Sequence, residues 1–435
     1  MRISPTKLMH GLLYLTPVIL LTLASCGGGG GGGGTTTPLA APSIPAGVTA
    51  STGCSAINLN WNTVAGATGY NVYHAASGAS AVTTTTVTNT SYTDAGLRAN
   101  TYYNYQVQAT NSAGVSSKSN TVSKQTGAAC TDVGGSIQGT TLTLSGTSTV
   151  STMAGAYPFP GYVDSSTGVD ARFDLPANVA TDGLNLYVAD AGNNVIREIA
   201  ISNGAVTTLA GSINGASGVA NAPSGPGTSA SFNAPQGITT DGTFLYVADT
   251  KSGTIRKIAI SNGAVTTIAS GFSLPAAITT DGLSLYVADT LKDQIVKLDM
   301  TGVTLSPNPY AAVTSPQGIT YNSGDTDLYV TGASGVSQIT SAQVVNNLNL
   351  SGLNGTQGIT TDGANLYVTN SGNGTILKIA TPAGTPVKTT IAGTSLGYKD
   401  GTATAAQFRN PYGITTDGAN LYIVDTANLT IRKIQ

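Results

Sequence analysis

The chain has 435 residues, a net charge of −2 and only 9% charged side chains against 40% hydrophobic ones. So sparse and mildly acidic a composition, without basic clusters, excludes a protein that holds nucleic acid by neutralising phosphates. With 3 cysteines and 2 histidines there is also little material for thiol or imidazole chemistry.

The chain opens as an export leader. Arg2 and Lys7 precede an apolar run from Gly11 to Leu23, shorter than the ~20 residues a membrane-spanning helix needs. The run ends in Leu23-Ala24-Ser25-Cys26, which resembles the lipobox of bacterial lipoproteins. The resemblance implies cleavage before Cys26 and lipid attachment to that cysteine. With Gly27 after it rather than Asp, it implies the outer membrane as the anchor site. The expected location is the bacterial cell envelope, with the membrane engaged through the lipid only. Loss of Arg2 and Lys7 leaves 16 cations (18 − 2) against 20 acids, a net charge of −4. Residues 26–41, with glycine throughout 27–34, cannot bury a side chain and form a flexible tether reaching about 20 Å.

Residues 42–129 read as a β-sandwich. Ile57, Leu59 and Trp61 alternate, as do Tyr70 and Val72, and Tyr103, Tyr105, Val107 and Ala109, the period of strands with one buried face. Cys54 and Cys130 bracket the module. An even pair in an exported chain reads as a disulfide, with two isolated thiols as the alternative. Trp61, Leu97 six residues before Tyr103, and Asn111-Ser112-Ala113-Gly114 resemble a fibronectin type III domain. The resemblance makes Tyr103 the tyrosine-corner residue, with Ala99 in place of the usual proline. No Arg-Gly-Asp occurs, so the module is expected to be a spacer, or else a protein- or glycan-binding unit.

Residues 130–149 form a linker, with a short strand expected at Thr141–Leu144. From 150 to 435 one phrase recurs six times, with its tyrosine at 187, 246, 286, 329, 367 and 422. Four short strands per repeat signal a β-propeller, one blade per repeat. The sixth repeat stops after its third strand. Val150-Ser151-Thr152-Met153-Ala154-Gly155 matches the fourth-strand phrase Val206-Thr207-Thr208-Leu209-Ala210-Gly211, so it is expected to complete the last blade and remove two open edges. The expected fold is therefore all-β: a fibronectin-like sandwich, then a six-bladed propeller closed by an N-terminal strand. Asp190, Asn193 and Asn194 before Ile196-Arg197, and Asp425 and Asn428 before Ile431-Arg432, resemble NHL repeats. So do Gly161-Tyr162 with Asp164, and Gly397-Tyr398 with Asp400. The fourth repeat departs most, with Gly332 where others have Asp.

Asp182, Asp241, Asp281, Asp362 and Asp417 each precede glycine between the first two strands, which is hairpin chemistry. Asp190, Asp249, Asp289 and Asp425 end the second strand and read as turn residues, because a turn is needed in every blade and a catalytic group once. Some six-bladed propellers are enzymes with a metal near the channel. This one contains neither His nor Cys, which excludes a zinc lyase site and a histidine base. Calcium needs only oxygens and stays open. However, the ring expected at the channel mouth reads Ala177, Gln236, Ala276, Gln317, Gln357 and Tyr412, without a carboxylate, so no cofactor is expected.

The connections entering blades one, two and six are long: Ala156 to Arg172, Ser212 to Ser231 and Thr394 to Gln407. These blades are neighbours once the ring closes. Their loops should crowd one half of one face, gathering Tyr157, Phe159, Tyr162 and Tyr398 beside Asp164, Lys399 and Asp400. That lobe, with Gln236, Gln317, Gln357 and Tyr412 at the mouth, is the expected recognition surface. The alternative is that the Gly-Tyr-x-Asp phrase only folds the loops onto the blades, with Phe173, Phe232 and Phe408 buried. The expected function is a non-enzymatic envelope lipoprotein presenting a propeller to a protein or glycan. A calcium-dependent lactonase-like hydrolase and a structural scaffold are the alternatives.

Overall fold

The computed structural model describes residues 40–52, 56–76, 82–95, 102–126, 141–212, 215–300, 308–380 and 386–435. Cys26, the tether up to residue 39, Cys54, Cys130, Leu97 and Ala99 lie outside the described residues. Among those described, strands make up the regular structure, joined by single 3-10 turns. No described helix is long and apolar enough to cross a membrane.

The sandwich follows its alternation. Thr49–Thr52, Ala56–Asn60 and Ser91–Ala95 form one sheet; Gly69–Ala76 lies between Thr83–Val87 and Tyr102–Asn111 in the other. Ile57, Leu59, Val72, Tyr105, Val107 and Ala109 are fully buried between them, each large side chain contributing about 2 kcal/mol by leaving water. Trp61 packs edge-on to Tyr70 at 5.3 Å. Tyr103 packs half-buried on the same core, but the backbone its hydroxyl was expected to meet is not among the described residues. A polar link crosses the sandwich: buried Asp94 accepts the Tyr105 hydroxyl at 2.7 Å and lies 2.8 Å from His74 Nδ1.

Each propeller blade is an antiparallel meander. In blade 1 the strands are Pro176–Thr181, Asn185–Asp190, Val195–Ala200 and Val206–Ala210. Neighbouring inner strands touch all round, the sixth against the first.

The recurring tyrosine now has a cause. In blade 1, Asp182 accepts the amides of Leu184 and Asn185 through one oxygen and the Tyr187 hydroxyl, at 2.8 Å, through the other. Gly183 supplies the left-handed backbone (φ 89°) that the turn requires. The same pairs recur as Asp241–Tyr246, Asp281–Tyr286, Asp362–Tyr367 and Asp417–Tyr422. Blade 4 reaches the same end with Asp325 and Tyr329. Each ring fills the space between two blades while its hydroxyl is satisfied by the turn. Burial, with the carboxylate beside it, pushes these hydroxyls far above their ordinary pKa.

The ring closes through the expected strand. Thr149–Ala154 pairs with Thr430–Ile434, Val150 opposite Ile434 and Thr152 opposite Arg432. Gly401–Thr402 adds a fifth strand outside it. The strand expected at Thr141–Leu144 is not formed. Instead Leu142 is buried with Val150, Tyr367 and Phe408, and its N–H donates to Asp362 at 3.0 Å. A side-chain acceptor takes the place of a ladder partner, so this segment docks without pairing.

Candidate functional site

The acids ending the second strands are buried and fix the connection that enters the blade. Asp190 accepts the Asp174 amide at 2.8 Å, Asp249 that of Asn233, Asp289 that of Ser273 and Asp425 that of Arg409. Asn370 does the same for Asn354 in blade 5. In blades 1, 2 and 6 these acids also face a fully buried arginine on the third strand. Asp190–Arg197, Asp249–Arg256 and Asp425–Arg432 are paired at 2.9, 3.1 and 2.8 Å. A β-bulge in the fourth strand, at Leu209, Ile268 and Met153, lies opposite each arginine. Burial nevertheless outweighs the guanidinium and pushes Asp190 and Asp425 up to about 6.

These arginines clamp the long loops. Arg197 donates to the Val163 and Arg172 carbonyls and to Asp164 at 2.6 Å. Arg256 holds Ala220 O and Asn221, and Arg432 holds Lys399 O and Asp400. The blades with shorter incoming loops carry Val296, Ser337 and Leu377 at this position. Phe173, Phe232 and Phe408 are buried with the Arg carbons 4.9–5.1 Å from their rings. Tyr162 and Tyr398 lie against Arg197 and Arg432, each at 5.2 Å. The Gly-Tyr-x-Asp phrase thus folds loops onto blades: Asp164 also binds Thr208, as does the Tyr162 hydroxyl, and Asp400 binds Thr152.

What the clamps leave outward is an aromatic patch. Tyr157, from the loop entering blade 1, meets Tyr398, from the loop entering blade 6, with ring centroids 4.6 Å apart and tilted by 31°. Each is 38% exposed, and Phe159, backed by Arg172, is 57% exposed. Lys399 is exposed beside them. The expected gathering is therefore divided: Tyr157 joins Tyr398, whereas Tyr162 and Asp164 belong to the clamp of blade 1.

The mouth ring is divided too. The Tyr412 hydroxyl reaches Gln236 Oε1 at 3.4 Å across Ala177, and burial pushes that hydroxyl up to about 12. A cavity of about 330 Å³ lies here, its lining including Leu175, Ala177, Ala191, Gln236, Lys251 and Tyr412. Gln317 and Gln357 line a separate cavity of about 300 Å³ over blades 4 and 5. Among the described residues no three His, Cys, Asp or Glu side chains converge as a metal-binding group.

Several contributors were not foreseen from sequence. Leu175, Ala234, Leu274, Ser315 and Asn410, each before an inner strand, have φ between 46° and 63°. Such backbone is uncommon for non-glycine residues. Main-chain bonds such as Gly192 N to Asp174 O and Lys251 N to Asn233 O brace the corners. The signal was available as the x-Pro step repeated at blade entrances, occupied in blade 5 by Gly355-Thr356.

Residues 41–125 match the fibronectin type III domain family. Exoglucanase B of Cellulomonas fimi is 41% identical over 102 residues, 21% of this chain and 9% of that protein. NHL repeat-containing protein 2 of Gallus gallus is 32% identical over 108 residues, 25% of this chain and 14% of that protein. The chain thus spans a small part of the length of the curated relatives it matches. A structural genomics protein of unknown function from Bacteroides thetaiotaomicron VPI-5482 shares the fold, with a TM-score of 0.51 at 16% identity over 89% of this chain and 97% of that one. The chain combines a fibronectin type III domain with a propeller.

Proposed function

We propose that the chain is a non-enzymatic binding lipoprotein of the bacterial envelope, anchored through Cys26 in the outer membrane. Its NHL-type propeller presents one half of one face to an extracellular protein or a surface glycan. The observation that carries this reading is the concentration of loop elaboration on blades 6, 1 and 2. Three buried arginines hold those loops rigid, and the loops expose Tyr157, Phe159 and Tyr398. Rigid aromatic side chains are effective anchors because little rotamer entropy is lost when they bind. The fibronectin type III domain, braced by a Cys54–Cys130 disulfide, serves as the stalk. The hydrolase reading gains no support from the donor set, since the mouth ring carries Gln and Tyr and no carboxylate.

The test is binding of the full chain to a glycan array and to purified envelope proteins, beside Phe159→Ser. Binding weakened at least tenfold in a variant that melts normally supports the reading; equal binding by both contradicts it. Membrane-fraction recovery of Cys26→Ser tests the anchor separately, with release into the soluble fraction expected.

A further inference from the structure

The seams between blades are clipped at the channel mouth by one repeated hydrogen bond. The first residue after the second strand is Thr250, Thr290, Ser371 or Thr426 in four blades. Each donates its hydroxyl to the carbonyl opening the next blade: Pro275, Pro316, Pro411 and Pro176. Blades 1 and 4 have Ala191 and Ala333 there, and blade 1 in addition has the small Ala177 at the mouth where its neighbours, blades 2 and 6, carry Gln236 and Tyr412. The 330 Å³ cavity opens at this unclipped seam. Both substitutions remove bulk from one place.

The groups around it have a definite sign. Lys251 lines the cavity, is exposed and makes no ion pair among the described residues. Arg409, adjacent to the lining residue Asn410, is likewise exposed and unpaired. The acid of this rim, half-buried Asp174, packs against the lining residue Gly192 but does not itself line the cavity, so the two cations outnumber it. Gln236 accepts from Tyr412 through its carbonyl oxygen, which leaves its amide hydrogens to donate. The rest of the lining is Gly192, Thr426, whose hydroxyl is spent on Pro176, and the apolar Leu175, Ala177, Ala191 and Ala234, with Leu175 held outward by its left-handed backbone and 56% exposed. The volume stands at the small end of ligand sites, suited to a molecule of roughly ten heavy atoms.

We infer that this cavity binds a carboxylate carried on a short aliphatic stem, with Lys251 and Gln236 meeting the acid and Leu175 and the three alanines meeting the stem. The inference rests on the reading of this face as a recognition surface and names the chemistry its centre accepts. A free short-chain acid and the C-terminal residue of a peptide share that chemistry.

Calorimetric titration of the full chain with hexanoate, hexanamide, N-acetyl-Ala-Leu and N-acetyl-Ala-Leu-amide tests it. At least one acid should bind tenfold or more tightly than its amide. The acid that does so identifies the source, a free acid for hexanoate and a chain terminus for the peptide. Lys251→Met, at an exposed unpaired position, should bring that acid down to the affinity of its amide. Ala191→Thr installs the hydroxyl that blades 2, 3 and 6 carry, and should remove binding without lowering the melting temperature. Equal affinity for acid and amide, binding by neither acid, or acid binding unchanged in Lys251→Met would overturn the inference. Phe159→Ser separates the two readings. If it abolishes macromolecular binding while neither acid binds, the platform stands and the carboxylate site falls. If an acid binds through Lys251 while Phe159→Ser leaves the panels unchanged, the site stands without the platform.

Discussion

Thr426 in the last blade donates its hydroxyl to the carbonyl of Pro176 in the first at 2.8 Å, across 250 positions of sequence. It joins the two ends of the propeller at the channel, while Thr149–Ala154 joins them at the outer strands. The outer closure pairs a whole strand and buries Val150 and Ala154. Thr426→Ala should therefore cost about 1 kcal/mol, the net value of one hydrogen bond. Val150→Asp, placing a carboxylate among Leu142, Ile434 and Ile414, should abolish cooperative unfolding of the propeller. Urea denaturation followed by circular dichroism distinguishes the two outcomes.

The clamp arginines make a second, non-additive prediction. Asp190 and Arg197 are both fully buried, so Arg197→Leu alone leaves a buried charge without its partner, at about 3–5 kcal/mol. Blade 5 shows the compensated state, with Asn370 and Leu377 at the equivalent positions. Asp190→Asn combined with Arg197→Leu should recover at least half of the single-variant loss in a double-mutant cycle. Even so, Asp164 and the Val163 carbonyl each lose one donor and keep only Thr208 and the Arg172 amide, so amide exchange in 156–172 should rise in both.

This is where sequence reading reached its limit. Periodicity and turn chemistry were enough for six blades, for closure by Val150–Ala154 and for the Asp-Gly turns, because these depend on neighbours in the chain. Phe173, Phe232 and Phe408 are buried, as the loop-folding alternative required. Arg197 was different: a charge within Ile196-Arg197-Glu198-Ile199, it shares the alternation of Val195 and Ile199 and is buried with them once the blades stack. Asp164 and Asp400 looked free for a ligand because their arginines lie 33 and 32 positions away. The mouth cavity depends on what Ala191 lacks relative to Thr250 and Thr426, a difference visible only once the blades are superposed.

The acid pair predicts the pH dependence. Asp190 and Asp425 sit at about 6 in the fold against an ordinary value of 3.8, so between those values the folded chain holds protons that the unfolded chain releases. Their effect on stability is therefore most favourable below about pH 4, declines through pH 6 and is flat above about pH 7. Asp362 acts oppositely. Burial alone would raise it, but hydrogen bonds from Leu142, Tyr367, Ala364 and Asn365 bring it below 3.8. What it contributes is lost as the pH falls through that depressed value. Denaturation midpoints should rise from pH 7.5 to pH 5, with a smaller rise in Asp425→Asn.

The sandwich can be followed separately. Trp61 is the only tryptophan and is buried there, so its fluorescence reports unfolding of that domain. Tyr105→Phe removes a donor from buried Asp94 and should lower this transition by about 1–3 kcal/mol, while the circular dichroism signal of the propeller keeps its midpoint.

The central claim concerns which face binds. Hydrogen exchange of the full chain, with and without the strongest binder found on the glycan and envelope-protein panels, tests it most directly. Protection should fall on 156–175 and 394–412. Protection confined to the opposite turns, at 182–184, 241–243 and 281–283, would contradict the account.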